Sequence, residues 1–208
     1  MKAKFLLWAL TIVILCGAQT KKQSETRYVV DVSESTVQWT GYYVFSFGSH
    51  YGSVNLSAGD LYVSGDEITN GSFEIDMTSI LDLDMEDDGA QSLVDHLKSD
   101  DFFSVDQFPS ARFEIRKVEA IEEATPDGPN FEITGELTIK DVHHPVTFPA
   151  TISIEGQMLK ASARFKFDRT KWDIRYNSGR FFDDIGDGAI SDGIGLELEI
   201  IAHKTTQP

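Results

Sequence analysis

Five histidines, one cysteine and a run of carboxylates are the residues of this 208-residue chain equipped to hold a metal or move a proton. The histidines are His50, His96, His143, His144 and His203. His143 and His144 are adjacent, so in a strand they point to opposite faces and chelate poorly. His50 and His96 could meet only through the fold, at a cavity mouth where both would contact a head group. Histidines bonded to backbone are the simpler reading. Asp82, Asp84, Glu86, Asp87 and Asp88 resemble part of a calcium loop. Such a loop needs Gly sixth and Glu twelfth; counted from Asp82, those positions hold Asp87 and Leu93. The run reads as a solvated acidic loop, and no metal site is expected.

Catalytic patterns are missing as well. The sequence has no Gly-x-Ser-x-Gly elbow, no Gly-rich phosphate loop and no His-Glu-x-x-His. Scattered carboxylates identify no acid/base pair. The sole cysteine, Cys16, lies in the leader, so no disulfide and no mature thiol nucleophile are expected. The chain is read as a non-enzyme without a cofactor.

The leader is Lys2 and Lys4, an apolar run from Phe5 to Leu15 broken only by Thr11, then Cys16-Gly17-Ala18. This is the layout of a secretory signal peptide, too short for a comfortable transmembrane helix. Residues 1–18 are expected to be removed by cleavage after Ala18. The alternative is a lipoprotein signal of residues 1–15, with Cys16 lipidated. Only in that case is membrane contact expected. Either way the mature protein is expected in the periplasm or secreted. A net charge of −16 excludes a phosphate-backbone partner, which it would repel.

These residues have to be positioned by strands. After a polar tether over residues 19–27, apolar side chains recur at every second position. Val37 and Trp39, Leu61 and Val63, and Phe73 and Ile75 alternate with polar neighbours. Later runs are longer: Phe131 to Ile139, Val146 to Ile154, Leu159 to Phe167, and Ile194 to Ile200. Asn70-Gly71, Pro126-Asp127-Gly128-Pro129 and Gly156 carry turn chemistry. Long alternating strands joined by hairpins favour an up-and-down barrel. The expected fold is all-β, an extended antiparallel β-barrel of about eight strands. A membrane barrel would show the same alternation, but the apolar faces lack paired aromatic girdles and the chain ends Thr205-Thr206-Gln207-Pro208.

The period changes once. Leu93 and Leu97 sit four apart, then Phe102, Phe103 and Phe108 follow without alternation, and Pro109 closes the segment. This predicts one short helical insertion with an aromatic turn, acting either as a plug in the barrel or as a lid over a cavity.

Several ordered motifs resemble one family. His96-Leu97-Lys98-Ser99-Asp100-Asp101-Phe102-Phe103, running to Phe108-Pro109-Ser110-Ala111-Arg112-Phe113, resembles the signature of the YceI-like proteins. Gly135-Glu136-Leu137-Thr138-Ile139-Lys140 followed by His144-Pro145-Val146, then Phe167-Asp168-Arg169-Thr170-Lys171-Trp172, and Ser49-His50-Tyr51-Gly52-Ser53-Val54 near the start, are similar to their further motifs. Asp141 departs from the pattern, standing where the family commonly has Gly. The resemblance covers residues 28–204, with 205–208 left as a tail. It implies a lipocalin-like barrel, usually periplasmic, that binds a long polyisoprenoid or fatty-acyl amphiphile in an elongated apolar pocket.

On that reading Trp39, Phe73, Phe131, Phe165 and Phe167 form the ligand-binding wall. Leu93, Leu97, Phe102 and Phe103 cover it, and His50, Tyr51, Arg169 and Trp172 stand at the mouth. The expected partner is a long-chain isoprenoid or acyl lipid, carried or stored in the envelope, with a homodimer left open. The alternative is an envelope stress or maintenance factor with a closed core, acting through a protein partner.

Overall fold

Alternating runs become strands wherever one face has a core to meet. The structure, a computed structural model, describes residues 25–45, 48–126, 128–183 and 185–205. The leader, Cys16 and the tether up to residue 24 lie outside the described residues, as do 206–208.

The strands are β1 (Thr26–Val30), β2 (Thr36–Tyr42), β3 (Ser49–Ser64), β4 (Glu67–Asp82), β5 (Ser110–Ala120), β6 (Phe131–Ile139), β7 (Val142–Glu155), β8 (Met158–Asp168) and β9 (Gly193–Lys204), with one helix, α1 (Asp87–Lys98), between β4 and β5. Going round the barrel the order is β2-β9-β8-β7-β6-β5-β4-β3 and back to β2, every pair antiparallel. β1 shares the position of β2. It pairs β3 through Thr26↔Val63 and β9 through Tyr28↔Lys204. Between the two halves the chain turns at Asp31, whose carboxylate accepts from the Ser33 N–H at 2.9 Å and the Glu34 N–H at 3.2 Å. The result is a closed barrel of eight positions, and closure removes the exposed sheet edges that invite aggregation. β3 and β4 have 16 residues each, a span of about 50 Å at about 3.3 Å per residue; this is the extension.

The two ends differ. At one, β3–β4 and β7–β8 are joined by tight turns with Gly65 and Gly156 at φ 65° and 64°, backbone that glycine adopts freely. β1 begins and β9 ends there. At the other lie α1 and the long excursion 169–192. The β6–β7 turn at this end holds Lys140 and Asp141 at φ 52° and 58°. Two-residue hairpins of this kind need positive φ at both positions, and Asp tolerates it better than most residues. The turn therefore forms without a glycine.

Behind α1 the chain knots on itself. Ser99 N–H donates to His96 O, Phe103 N–H to Leu97 O at 3.1 Å and Val105 N–H to Lys98 O at 2.9 Å. Ser104 closes the knot at φ 47°. This swings Phe102 and Val105 inward, where both are buried. The insertion covers the barrel end; it does not fill the interior.

Candidate ligand cavity

The interior is hollow. Phe73, Phe113, Ala161, Ala163, Phe165 and Leu196 occupy inward positions, yet all remain only partly buried. A barrel packed shut would have buried them. They face a cavity of about 270 Å³, just below the roughly 300–1,000 Å³ typical of small-molecule sites.

One wall is a belt of phenylalanines. Phe73 on β4 stands 6.3 Å from Phe113 on β5, Phe113 stands 5.7 Å from Phe148 on β7, and Phe148 stacks on Phe165 of β8 at 4.1 Å. The belt crosses β6 without a ring from β6 itself. Gly135 makes this possible, because a β-carbon there would overlap the Phe113 ring. A glycine in the middle of a strand weakens it unless another group needs the space; here an aromatic ring does.

The cover is also aromatic. Leu93, Leu97, Phe102 and Phe103 all reach the cavity wall. His96 packs edge-on against Phe102 at 5.1 Å and Tyr176 at 4.5 Å, and pairs with Asp101 at 3.1 Å. His50 pairs instead with Asp84, Nδ1 to Oδ2 at 3.1 Å. The two histidines are thus each held by their own aspartate, and only His50 lines the cavity.

Among the described residues, His50 and Arg169 are the only wall side chains able to carry positive charge. Arg169 is 1% exposed. It sits in a short 3-10 turn, Arg169–Trp172, started by Asp168, whose carboxylate accepts from the Thr170 N–H at 3.0 Å. Its guanidinium donates to Ser191 O at 3.1 Å, Ile174 O at 2.9 Å and Ile190 O at 3.3 Å. Burial pulls its pKa down, and the Asp192 and Asp168 carboxylates oppose that. Asp192 lies 3.9 Å from Nη2, too far for a good hydrogen bond, and its Oδ1 has no donor among the described residues. Arg180 bridges Asp168 at 2.8 Å and Asp192 at 2.9 Å, completing a chain of two arginines and two aspartates.

The expected site residues fall into two groups. Trp39, His50, Phe73, Phe165, Phe167 and Arg169 line the cavity together with the four cover residues. Tyr51, Phe131 and Trp172 do not. Tyr51 is 46% exposed, because period two turns it to the face opposite His50. Phe131 is half-buried and packs against the core at the hairpin end of β6, opposite Ala150, without itself lining the cavity. Trp172 is fully buried behind the wall, its Nε1 donating to Leu137 O at 3.0 Å. Phe113 and Phe148, absent from the expected set, carry the middle of the belt. The same alternation that marked Phe165 marks them.

The family model for the YceI-like domain matches residues 28–202. The chain belongs to the YceI-like family. A UPF0312 protein from Pseudomonas putida (strain W619) is 33% identical over 109 residues, and one from Enterobacter sp. (strain 638) is 29% identical over 110. The first match covers 52% of this chain and 52% of the relative, so the chain spans about half the length of the curated relatives it matches. Solved structures agree in fold. Burkholderia cenocepacia BcnA superposes with TM-score 0.62 at 19% identity, covering 83% of this chain and 98% of that one. A polyisoprenoid binding domain from Saccharophagus degradans, implicated in plant cell wall breakdown, gives TM-score 0.59 at 8% identity, covering 86% and 98%.

Proposed function

We propose that this YceI-like chain binds a long apolar or amphiphilic molecule, of the polyisoprenoid or fatty-acyl kind, in the barrel cavity. It acts as a carrier or store and performs no chemistry on its ligand. The observation that carries this reading is the half-buried inward face: apolar side chains left facing open space need an apolar occupant. Each buried methylene is worth about 0.8 kcal/mol, so about ten of them gain on the order of 8 kcal/mol before ordering costs. His50 and Arg169 are the side chains placed to orient a polar head. The Saccharophagus protein's description as a polyisoprenoid binding domain supports the isoprenoid class. The leader supports a periplasmic or secreted location, with anchoring through Cys16 as the alternative.

The test is native mass spectrometry of protein purified from its own host, followed by delipidation and uptake of a fluorescent acyl chain. A one-to-one lipid adduct that returns on reloading is expected. Protein of apo mass that also fails to take up the probe would end this reading.

A further inference from the structure

The register of β3 against β4 brings His50 to two carboxylates, Asp82 and Asp84, the second of them 34 positions further along the chain. Gly52 pairs with Asp82, which sets His50 beside the end of β4 and the turn that follows it. Asp84 in that turn accepts from the Tyr51 N–H at 2.9 Å through Oδ1 and contacts His50 Nδ1 through Oδ2. Asp82 Oδ1 accepts from the Met85 N–H at 2.8 Å. Its other oxygen, Oδ2, is closed off from solvent and has no donor among the described residues. One ligand atom each from His50, Asp82 and Asp84 lies within 4.8 Å of the others.

Two carboxylates this close repel unless they share a proton or a cation lies between them. A protonated His50 balances one of them and leaves the Asp82 oxygen unmatched, which is costly for a buried acceptor. A proton shared with Asp84 would give that oxygen a partner; a divalent cation does so and engages the His50 nitrogen as well. We propose that His50, Asp82 and Asp84 form a divalent transition-metal site at the helix end of the cavity. The donor set is one imidazole and two carboxylates. That mixture suits Zn²⁺ or a similar first-row ion better than Ca²⁺, which takes oxygen alone. Three protein ligands leave a position open for water or for a donor atom of a bound molecule. The His50 and Asp84 side chains are 28% and 19% exposed, so an ion has a path in. His50 also lines the cavity, which places the ion at the edge of the apolar space. The site stands independently of lipid binding.

A second group, Asp31, Glu34 and His203, meets the same distance limit. It lies at the hairpin end, its Glu34 and His203 side chains are 60% and 51% exposed, and none of its atoms is a buried oxygen lacking a donor. It serves as the control.

The experiment is isothermal titration of Zn²⁺ into delipidated protein at pH 7, with Ca²⁺ in parallel. One saturable Zn²⁺ site is expected, weakened roughly 100-fold or more in His50→Gln and in Asp82→Asn. Asp82→Asn keeps a carbonyl oxygen for the Met85 N–H, so folding is retained. His203→Gln should leave the titration unchanged. On the wild-type protein, imidazole ¹⁵N shifts read the same question without substitution: one equivalent of Zn²⁺ moves His50 and leaves the other histidines in place. No saturable binding below the millimolar range, Ca²⁺ binding as tightly as Zn²⁺, or His50 resonances that stay put would each overturn the assignment.

Discussion

Phe148 and Phe165 stack face to face, with ring centroids 4.1 Å apart and 4° between their planes, on the wall of an open cavity. The next inward pair along the same two strands is Ala150 and Ala163. Large rings followed by small side chains leave the hollow beside the stack. In a packed core Ala163→Phe would cost roughly 1–3 kcal/mol through overpacking. Here the new ring has space to enter, so urea unfolding should shift by about 1 kcal/mol or less. Uptake of a fluorescent acyl chain should fall roughly tenfold or more.

Trp172 fastens the 3-10 turn to β6. Trp172→Phe removes its hydrogen bond to Leu137 O and leaves the site underfilled. The expected loss is about 1–3 kcal/mol from the lost bond in a buried setting, read as a lower urea midpoint. Ligand uptake should survive in the folded fraction, because the ring lies behind the wall.

Arg169 is a buried cation answered by three backbone carbonyls. Arg169→Met orphans all three. Arg169→Lys keeps the charge but not the planar fork that reaches them together. Both variants should lose on the order of 3 kcal/mol or more, with Lys failing to rescue. Equal stability of Arg169→Lys and wild type in urea would refute this account.

Acid should weaken the same region. Burial pushes the Asp168 carboxyl up, but Thr170 through its hydroxyl and N–H, and Arg180 through its charge, together hold it below the usual carboxylate range. A carboxyl whose native pKa is depressed stabilises the fold above its unfolded pKa of about 3.9. That contribution is lost as pH falls through the native value. The wild-type advantage over Asp168→Asn should therefore be full near neutral pH and shrink as pH drops below about 5. Urea midpoints across that range measure it; a gap constant with pH would contradict it.

Much of this was legible in the sequence. Long period-two runs specify which face of each strand turns inward, so the barrel and residues such as Phe165 and Phe167 could be read directly. Which inward residues touch the cavity could not: Phe131 shares the inward face of β6 but packs into the core, while Ala150 opposite it lines the cavity. Period two also bore on Tyr51, since a neighbour of His50 in one strand has to face the other way. Trp172 stands in a 3-10 turn, where no period says which way a ring points. Gly135 falls on the inward face of its run, and only the β5–β6 register shows it to be the seat of the Phe113 ring. The meeting of His50 with Asp82 and Asp84 depends on the β3–β4 register, which no local pattern encodes.

Tyr28 near the start of β1 pairs with Lys204 at the end of β9, so the chain enters and leaves the barrel side by side at the hairpin end. Immobilised through either terminus, the molecule would stand with its helix-covered end pointing away from the support. A tag, a fused reporter or a natural anchor joined at that base would sit a barrel's length from α1 and from His50.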